Sequence, residues 1–375
     1  MTMLLVFTLY LFGIFWFLVG LNLLAWLVAT LWFKGEDLTR FDHPTGERFS
    51  HGEQASSEIT AVVASFSRLK SVLKEVPLRQ RTKALRQHMD DLFADRDFNG
   101  FSFVPVDCDA VACEWVLAPG SDGSRRTLYI HGGAFAMGSP RSHRTVTTRF
   151  AEMTGGAVLA VDYRLMPEHQ RRAGIEDCRT AYQWMLDHGP TGLQSAHTVF
   201  VAGDSAGGNL TLSLVAWARD TGLRAPDAAV ALSPLTDATL ASPTFKTHVH
   251  TDALLGPLFG SMARVPRYLM LWFGLIQTRI NPRNPMVSPV YGDLAGLPPI
   301  LVQVGEPEML RDDARRYVNR AQAAGSPVRL QTWDHVMHVW QIFNPELTEA
   351  RQALDEIDRF LANVSAPTER RSRAV

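Results

Sequence analysis

The chain has 375 residues, of which 46% are hydrophobic and 20% are charged. Its 37 Lys and Arg residues balance 38 Asp and Glu residues, so the sequence lacks the basic excess typical of nucleic-acid binding. Three cysteines do not make a disulfide framework. We expect reduced and mostly buried thiols, with a Cys108–Cys113 bridge as the alternative in an oxidising compartment.

Residues 1–33 contain no Asp, Glu, Lys, Arg or His and are rich in Leu, Phe and Trp. About 20 apolar residues are enough for a helix to cross a bilayer, so this segment predicts a single-pass anchor in the lipid bilayer. A cleaved signal peptide is the competing interpretation, but the segment has no basic start and its apolar run is too long. Lys34, Arg40 and Arg48 follow the span, which favours a cytoplasmic catalytic domain.

Residues 34–100 are predicted to hold a juxtamembrane segment followed by helices. Ser56 to Phe93 has helical periodicity with a break at Pro77. Ile59, Val62 and Phe66 recur at helical spacing in the first part, and the second part is more charged.

Residues 101–364 alternate predicted strands with predicted helices, and 365–375 form a polar tail. An amphipathic pattern at the end of this region predicts a closing helix. The alternation predicts an α/β fold with a mostly parallel eight-stranded sheet covered on both faces. The strands are predicted near 103–107, 112–118, 127–131, 157–162, 198–203, 228–233, 299–304 and 327–333.

A glycine pair follows the third predicted strand, in the segment His131-Gly132-Gly133-Ala134-Phe135. Glycine amides are accessible to a ligand because no side chain covers them. Acyl transfer passes through an oxyanion that needs such amide donors at about 2.7–3.1 Å. We therefore predict that Gly132 and Gly133 contribute to an oxyanion hole, with His131 as supporting residue; a plain turn at the strand end is the alternative.

A serine lies between glycines where the fifth predicted strand meets a helix, in Gly203-Asp204-Ser205-Ala206-Gly207. This arrangement is typical of a nucleophile elbow, in which a sharp turn exposes the serine oxygen. Ser205 is the predicted nucleophile, and the amide of Ala206 would be a further oxyanion donor. Asp204 is predicted to anchor the elbow by hydrogen bonds rather than to take part in the chemistry.

An insertion at about 239–280 is rich in apolar side chains. A second membrane span is one interpretation, but Arg264 and Arg267 interrupt the run. We predict instead that most of these apolar residues pack the insertion onto the core and that some line a pocket suited to acyl chains.

Acid and base candidates follow the last two predicted strands, after Ser205 in the chain. Glu306, Glu308, Asp312 and Asp313 follow the first of these strands, and His335 and His338 follow the second. Because open α/β sheets bind ligands at the carboxyl ends of their strands, both groups are expected at the edge that carries the serine.

These motifs together resemble the hormone-sensitive-lipase-like esterases of the α/β-hydrolase superfamily, over roughly Phe101 to Leu361. The resemblance includes two further segments, Asp162 to His169 and Asn284 to Pro289. It implies a helical cap over the active site, formed by the helices within 34–100 and by the insertion at about 239–280. It implies Ser205 as nucleophile, Glu308 as acid and His338 as base, where many members have an aspartate in place of Glu308. Asp312 is the alternative acid.

The resemblance implies a membrane-anchored serine carboxylesterase for apolar esters of short or medium acyl chain. Amide or lipid deacylation by the same residues is one alternative, and a non-catalytic ligand-binding member of the fold is another, against which His338 argues. The expected partners are a lipophilic ester and the lipid bilayer, without nucleic acid. No cofactor or metal is expected, because the paired histidines lack the spacing of a metal cluster. The oligomeric state stays open.

Overall fold

The structure is a computed structural model that describes residues 2–50, 52 and 54–365. The predicted polar tail beyond Ser365 lies outside these residues. The strands, in chain order, are β1 (Glu47–Phe49), β2 (Ser102–Asp107), β3 (Ala112–Leu117), β4 (Asp122–Ile130), β5 (Gly156–Val161), β6 (His188–Gly189), β7 (Gly192–Leu193), β8 (Thr198–Asp204), β9 (Ala228–Leu232), β10 (Ile300–Gly305) and β11 (Val328–Trp333).

One sheet contains nine of these strands, in the order β1-β11-β10-β9-β8-β4-β5-β3-β2, and β6 and β7 pair separately. All described pairings in the large sheet are parallel except those of β3, which runs antiparallel to β2 and to β5. The prediction of a mostly parallel sheet is therefore confirmed.

The central strands are apolar along their whole length because both faces of the sheet are covered. Every residue of β5, β8 and β9 is buried. Side chains alternate between the faces, so Leu128 and Val201 join one core cluster while Tyr129 and Phe200 join another. Continuous apolar runs of this kind are expected of parallel strands between two helical layers.

The predicted count of eight strands is wrong, because β1 adds a ninth strand at the edge. This strand has three residues, and two of them are exposed, so it has no apolar alternation that the sequence could reveal. It pairs in parallel with β11, and the ring of Phe49 stacks on Trp333 with centroids 4.4 Å apart. The contact between Phe49 and Trp333, which are far apart in the chain, specifies this strand.

Helices cover both faces of the sheet. Residues of α4 and α11 pack in one core cluster, and residues of α5, α6 and α10 pack in clusters on the opposite face. The helices are α1 (Thr2–Val28), α2 (Ser57–Glu75), α3 (Arg81–Asp91), α4 (Arg144–Thr154), α5 (Arg171–Asp187), α6 (Ala206–Asp220), α7 (Thr244–Thr247), α8 (Leu255–Phe259), α9 (Arg267–Thr278), α10 (Arg311–Ala323) and α11 (Thr348–Ser365).

The first helix has the length and composition of a membrane span or a signal sequence. A π-helical turn at Ala29–Phe33 continues α1, and the apolar stretch runs from Leu5 to Phe33. Most of its side chains are exposed. Its last turns contact α9, which belongs to the insertion between β9 and β10 together with α7 and α8.

Candidate active site

Four loops at the carboxyl edge of the sheet bring the predicted functional residues together. The loops follow β4, β8, β10 and β11, and they carry His131, Ser205, Glu308 and His338 respectively. These strands lie within one stretch of the sheet order, with β9 between β10 and β8. Residues that are up to 207 positions apart in the chain therefore meet at the same edge of the sheet.

The turn at Ser205 is a strained junction between β8 and α6. Ser205 has φ 51° and ψ −113°, which is an unfavourable conformation for a residue with a side chain. Hydrogen bonds on both sides hold it, because its N–H donates to Leu232 O at 2.7 Å and its carbonyl accepts from Asn209 N at 3.1 Å. A Cβ at Gly207 would overlap the carbonyl oxygen of Ile130, so only glycine lets the helix approach β4 this closely.

Ser205, His338 and Glu308 form a continuous series of hydrogen bonds. Ser205 Oγ lies 2.8 Å from His338 Nε2, and His338 Nδ1 lies 2.7 Å from Glu308 Oε2. Because a carboxylate only accepts, the proton of the neutral imidazole resides on Nδ1. Nε2 is then free to accept the proton of Ser205.

Glu308 is fully buried and its two oxygens have different partners. Oε1 accepts from Ser233 Oγ at 2.8 Å and from the backbone N–H of Gly305 at 2.6 Å, while Oε2 contacts His338. Burial raises the pKa of Glu308 above its usual value, although the charge of His338 and the hydrogen bonds oppose this effect. These partners fix the carboxylate in one orientation.

The pKa of His338 is raised relative to free histidine. Burial of the ring acts to lower it, but the charge of Glu308 and the hydrogen bond to it outweigh burial. The imidazolium form is thereby stabilised at the point where a base must take up a proton.

The other acids near β10 are engaged elsewhere. Glu306 and Asp312 form ion pairs with Arg311 and Arg315. Asp313 Oδ2 accepts two backbone N–H groups, those of Thr236 and Asp237. The other candidate base, His335, also has a different partner: its Nε2 contacts the carbonyl oxygen of Gly52 at 3.3 Å. Of the predicted acids, Glu308 is the one that contacts His338.

The structure corrects the prediction for Gly132. Its N–H donates to Asp204 Oδ1 at 3.1 Å and is not free to bind an oxyanion. Among the described residues, no acceptor lies within hydrogen-bonding distance of the N–H groups of Gly133 and Ala134. Ala206 begins α6, where the first N–H groups of a helix have no partner within the helix. The available donors are thus Gly133, Ala134 and Ala206.

A left-handed backbone shapes the loop that carries these amides. Gly133, Ala134 and Phe135 have φ values of 111°, 53° and 62°. Turns can direct successive N–H groups into one concavity that binds anions. A Cβ at Gly133 would also overlap the carbonyl of Met137, so this position requires glycine.

Asp204 links the oxyanion loop to the elbow. Besides the N–H of Gly132, its Oδ1 accepts from Tyr129 OH at 2.8 Å and lies 3.4 Å from His143 Nε2. Burial acts to raise the pKa of Asp204, but the charge and hydrogen bond of His143 outweigh it and lower the pKa. These contacts fit the structural role predicted for Asp204.

His131 supports the same loop. Its ring is buried and stacks on Tyr163 with centroids 4.3 Å apart, and Tyr163 OH donates to the carbonyl of His131 at 2.9 Å. Burial, with the charge of His143, lowers the pKa of His131 to about 3. The ring is therefore neutral, and His131 Nδ1 donates to Gly132 O at 2.7 Å.

Both cap segments contact the loops of the site. On α3, the guanidinium of Arg86 donates to Ala136 O at 2.7 Å and to Met166 O at 2.9 Å, which ties the N-terminal helices to the oxyanion loop. In the insertion, Asp252 Oδ2 accepts from Met309 N at 2.9 Å, one residue beyond Glu308. The cap thus helps to position two of the four loops.

Two supporting positions escaped the sequence analysis: Ser233 and Asp252. Ser233 ends a predicted strand at the catalytic edge, which was the available signal. Asp252 offered no comparable signal, because its contact with Met309 depends on where distant loops meet.

We expect Ser233→Ala to lower kcat by about tenfold with little change in KM, because Glu308 would lose one hydrogen bond and His338 would be held less firmly. Steady-state kinetics on a soluble ester would measure this. Ser326→Ala is the matched control, since this buried serine donates to Leu294 O far from the triad. Equal kinetics for Ser233→Ala and the control would contradict the role given to Ser233.

Comparison with known proteins agrees with this geometry. Residues 127–342 match the family sequence profile of the α/β-hydrolase fold, more than half of the chain. A solved esterase of the bacterial hormone-sensitive lipase family superimposes with a TM-score of 0.70 at 34% identity, covering 84% of this chain and all of that one. The chain belongs to the hormone-sensitive-lipase-like α/β-hydrolases.

Named relatives of this hydrolase come from several bacteria. An acetyl-hydrolase of Streptomyces hygroscopicus is 38% identical over 273 residues, covering 72% of this chain and 86% of the relative. An esterase of Acinetobacter venetianus is 34% identical over 260 residues, covering 69% of this chain and 82% of the relative. The chain is an ester-hydrolysing serine hydrolase of this family.

Proposed function

We propose that this hydrolase is a membrane-anchored carboxylesterase that cleaves apolar esters of short or medium acyl chain through an acyl-Ser205 intermediate. The observation that carries the proposal is the hydrogen-bond series from Ser205 through His338 to Glu308, with distances of 2.8 and 2.7 Å. Each group has the contact that its role in the reaction requires.

In the first half of the reaction, Ser205 Oγ attacks the ester carbonyl carbon while its proton passes to His338 Nε2. Glu308 stabilises the imidazolium that forms and holds the ring in the required orientation. The carbonyl oxygen becomes an oxyanion that the amides of Gly133, Ala134 and Ala206 would stabilise. Loss of one such donor lowers turnover by about 10²–10³ in a comparable enzyme.

Collapse of this intermediate breaks the bond to the alkoxy group. His338 returns its proton to the departing oxygen, so the alcohol leaves and the acyl group stays on Ser205. Water then attacks the acyl carbon with His338 as base, and a second tetrahedral intermediate releases the carboxylic acid and regenerates Ser205. No step requires a metal or a cofactor.

The substrate range follows from the cap and from the relatives. The insertion that holds α7 to α9 is rich in apolar side chains, which suits an apolar ester. The acetyl-hydrolase relative supports acceptance of short acyl groups. Ala134 adds a methyl group beside the oxyanion, which disfavours bulky esters.

The proposed anchor is α1 with its π-helical turn. Its apolar stretch has 29 residues, and the side chains of its first turns are exposed to the surroundings rather than packed on the protein. Lys34, Arg40 and Arg48 follow it, which supports a cytoplasmic catalytic domain. Cys108, Cys113 and Cys178 are free and buried, which fits a reducing compartment.

A fluorophosphonate probe and a substrate panel test the proposed function. We expect the probe to label the full-length protein on the peptide that contains Ser205, with no label on Ser205→Ala. Across p-nitrophenyl esters, kcat/KM should be highest for short to medium acyl chains and fall for long ones. Faster hydrolysis of matched anilides would favour the amide-deacylase alternative, and a wild type that takes up no label would refute the proposal.

A further inference from the structure

An exposed apolar stripe runs along the cap helix α9. Leu269, Phe273 and Ile276 are 41%, 53% and 71% exposed. Their spacing of four and three residues places them on one face of the helix. Val265 and Leu258, both 37% exposed, come from the preceding part of the same insertion. We call Leu269, Phe273 and Ile276 the cap patch; contiguous exposed apolar surface commonly marks a protein or membrane interaction site.

The neighbouring face of α9 is packed against the end of α1. Trp272 Nε1 donates to Ala25 O at 2.9 Å, and Tyr268 OH donates to Asn22 Oδ1 at 3.0 Å. The rings of Phe33 and Trp272 meet edge to face with centroids 5.0 Å apart. The cap patch is therefore held beside the last three turns of the proposed membrane anchor.

The length of α1 determines the depth of this contact. Asn22 makes the first hydrogen bond from α1 to the cap, so about 20 helical residues precede it. At 1.5 Å per residue these residues span about 30 Å, which is the thickness of the hydrocarbon core. Exposed Trp26 and Trp32 follow, as expected for residues at the membrane interface. The contact with α9 thus lies at the end of the apolar stretch, just before Lys34, at the level of the lipid headgroups.

The charge of the insertion favours anionic lipid. Residues 253–292 contain four arginines and no Asp or Glu. Arg264, Arg279 and Arg283 are exposed, whereas Arg267 donates to Thr239. Lys and Arg side chains near an anionic bilayer surface are attracted to it and strengthen binding. A helix with an apolar face and basic flanks is typical of segments that lie in the membrane interface.

We propose that the cap patch is a membrane-docking surface that seats α9 in the headgroup region of an anionic phospholipid bilayer. This proposal rests on the proposed anchoring by α1, because the anchor brings the patch to the lipid. The cap that adjoins the catalytic loops would then face the bilayer, and an ester dissolved in the membrane would reach the cap without crossing bulk water.

Three labelled variants of the full-length protein test the docking surface. The three native cysteines are buried, so a new surface cysteine can carry an environment-sensitive fluorophore such as NBD. The variants are Phe273→Cys in the patch, Phe12→Cys in α1 and Leu193→Cys in the β6–β7 hairpin. Leu193 is the matched control because it is apolar, 83% exposed and located next to the amino end of β8.

The proteins are reconstituted in vesicles that contain phosphatidylglycerol and nitroxide-labelled lipids. We expect NBD at position 273 to show a blue shift and quenching by a nitroxide near the headgroups, and NBD at position 193 to show neither. A blue shift at 273 without lipid quenching would mean that a second copy covers the patch. That result, or an emission at 273 equal to that at 193, overturns the proposal.

The α1 label separates this outcome from failure of the anchor. Quenching at position 12 by a nitroxide deep in the acyl chains, without quenching at 273, would refute the docking surface and leave the anchor intact. Absence of quenching at both positions would refute the anchor and with it the docking surface.

Discussion

Ser205→Ala is expected to lower kcat by at least about 10⁴ for any ester that the wild type cleaves, while the protein stays folded. The variant removes the oxygen that forms the acyl intermediate, and water held near the oxyanion amides can replace only a small part of its effect. Alanine loses little packing, because the side chain of Ser205 is short and only partly buried. Steady-state kinetics would measure kcat, and thermal unfolding would show whether the variant stays folded.

Ser213→Ala is the matched control for this prediction. Ser213 is a buried serine two turns further along α6, where its hydroxyl donates to the carbonyl of Asn209 at 2.9 Å. We expect its kcat to stay within about threefold of the wild type. A Ser205→Ala variant with appreciable turnover would show that another group supplies the nucleophile.

Glu308→Gln is expected to lower kcat by about 10⁴ and to change the pH profile. The amide of glutamine can donate to His338 Nδ1, which stabilises the tautomer that cannot accept the proton of Ser205; a comparable carboxylate-to-amide change in a serine protease has an effect of this size. The wild-type triad should lose kcat/KM as the pH falls through a value above 6.5, because Glu308 raises the pKa of His338.

The direction in which Glu308→Gln shifts the pKa of His338 follows from the opposing effects of burial and of the carboxylate on this pKa. Without the carboxylate, the effect of burial remains and lowers the pKa of the imidazole. The acidic limb of kcat/KM should therefore move to lower pH although the rate falls. Profiles measured between pH 4 and 9, about the range over which histidine and its shifted forms titrate, would show this displacement.

Asp312→Asn is the control that distinguishes the two acids considered from the sequence. Its carboxylate pairs with Arg311 and Arg315 and makes no hydrogen bond to His338 among the described residues. We expect activity within about threefold of the wild type and an unchanged acidic limb. A large loss in Asp312→Asn with little loss in Glu308→Gln would reverse the assignment of the triad acid.

Much of the fold and the catalytic series could be predicted because both are set by local patterns. Strands β5, β8 and β9 are buried along their whole length, and each motif residue lies in the segment that follows a strand. The order of the motifs then indicates a shared edge, because the ends of parallel strands meet there. Glycines around Ser205 indicate the tight turn, since few other residues allow it.

The remaining features depend on contacts between distant residues. Gly132 and Gly133 are neighbouring glycines that the sequence alone does not distinguish. The carboxylate of Asp204 nevertheless accepts from the N–H of Gly132 and leaves the N–H of Gly133 open. Strand β1 exists because Phe49 meets Trp333, and Ser233 acts through a carboxylate 75 positions away. No local sequence pattern encodes these contacts, because they result from how the layers of the fold pack.

The contact between Arg86 and the oxyanion loop limits how a soluble form of the enzyme can be made. Cutting the chain beyond α3 would remove the guanidinium that holds Ala136 and Met166, so a trimmed enzyme should begin before β1. Removing α1 alone would uncover Leu271, which is 3% exposed, and the ring of Trp272. The shortened protein would present new apolar surface beside an already apolar cap, and self-association would follow unless these residues were replaced by polar ones.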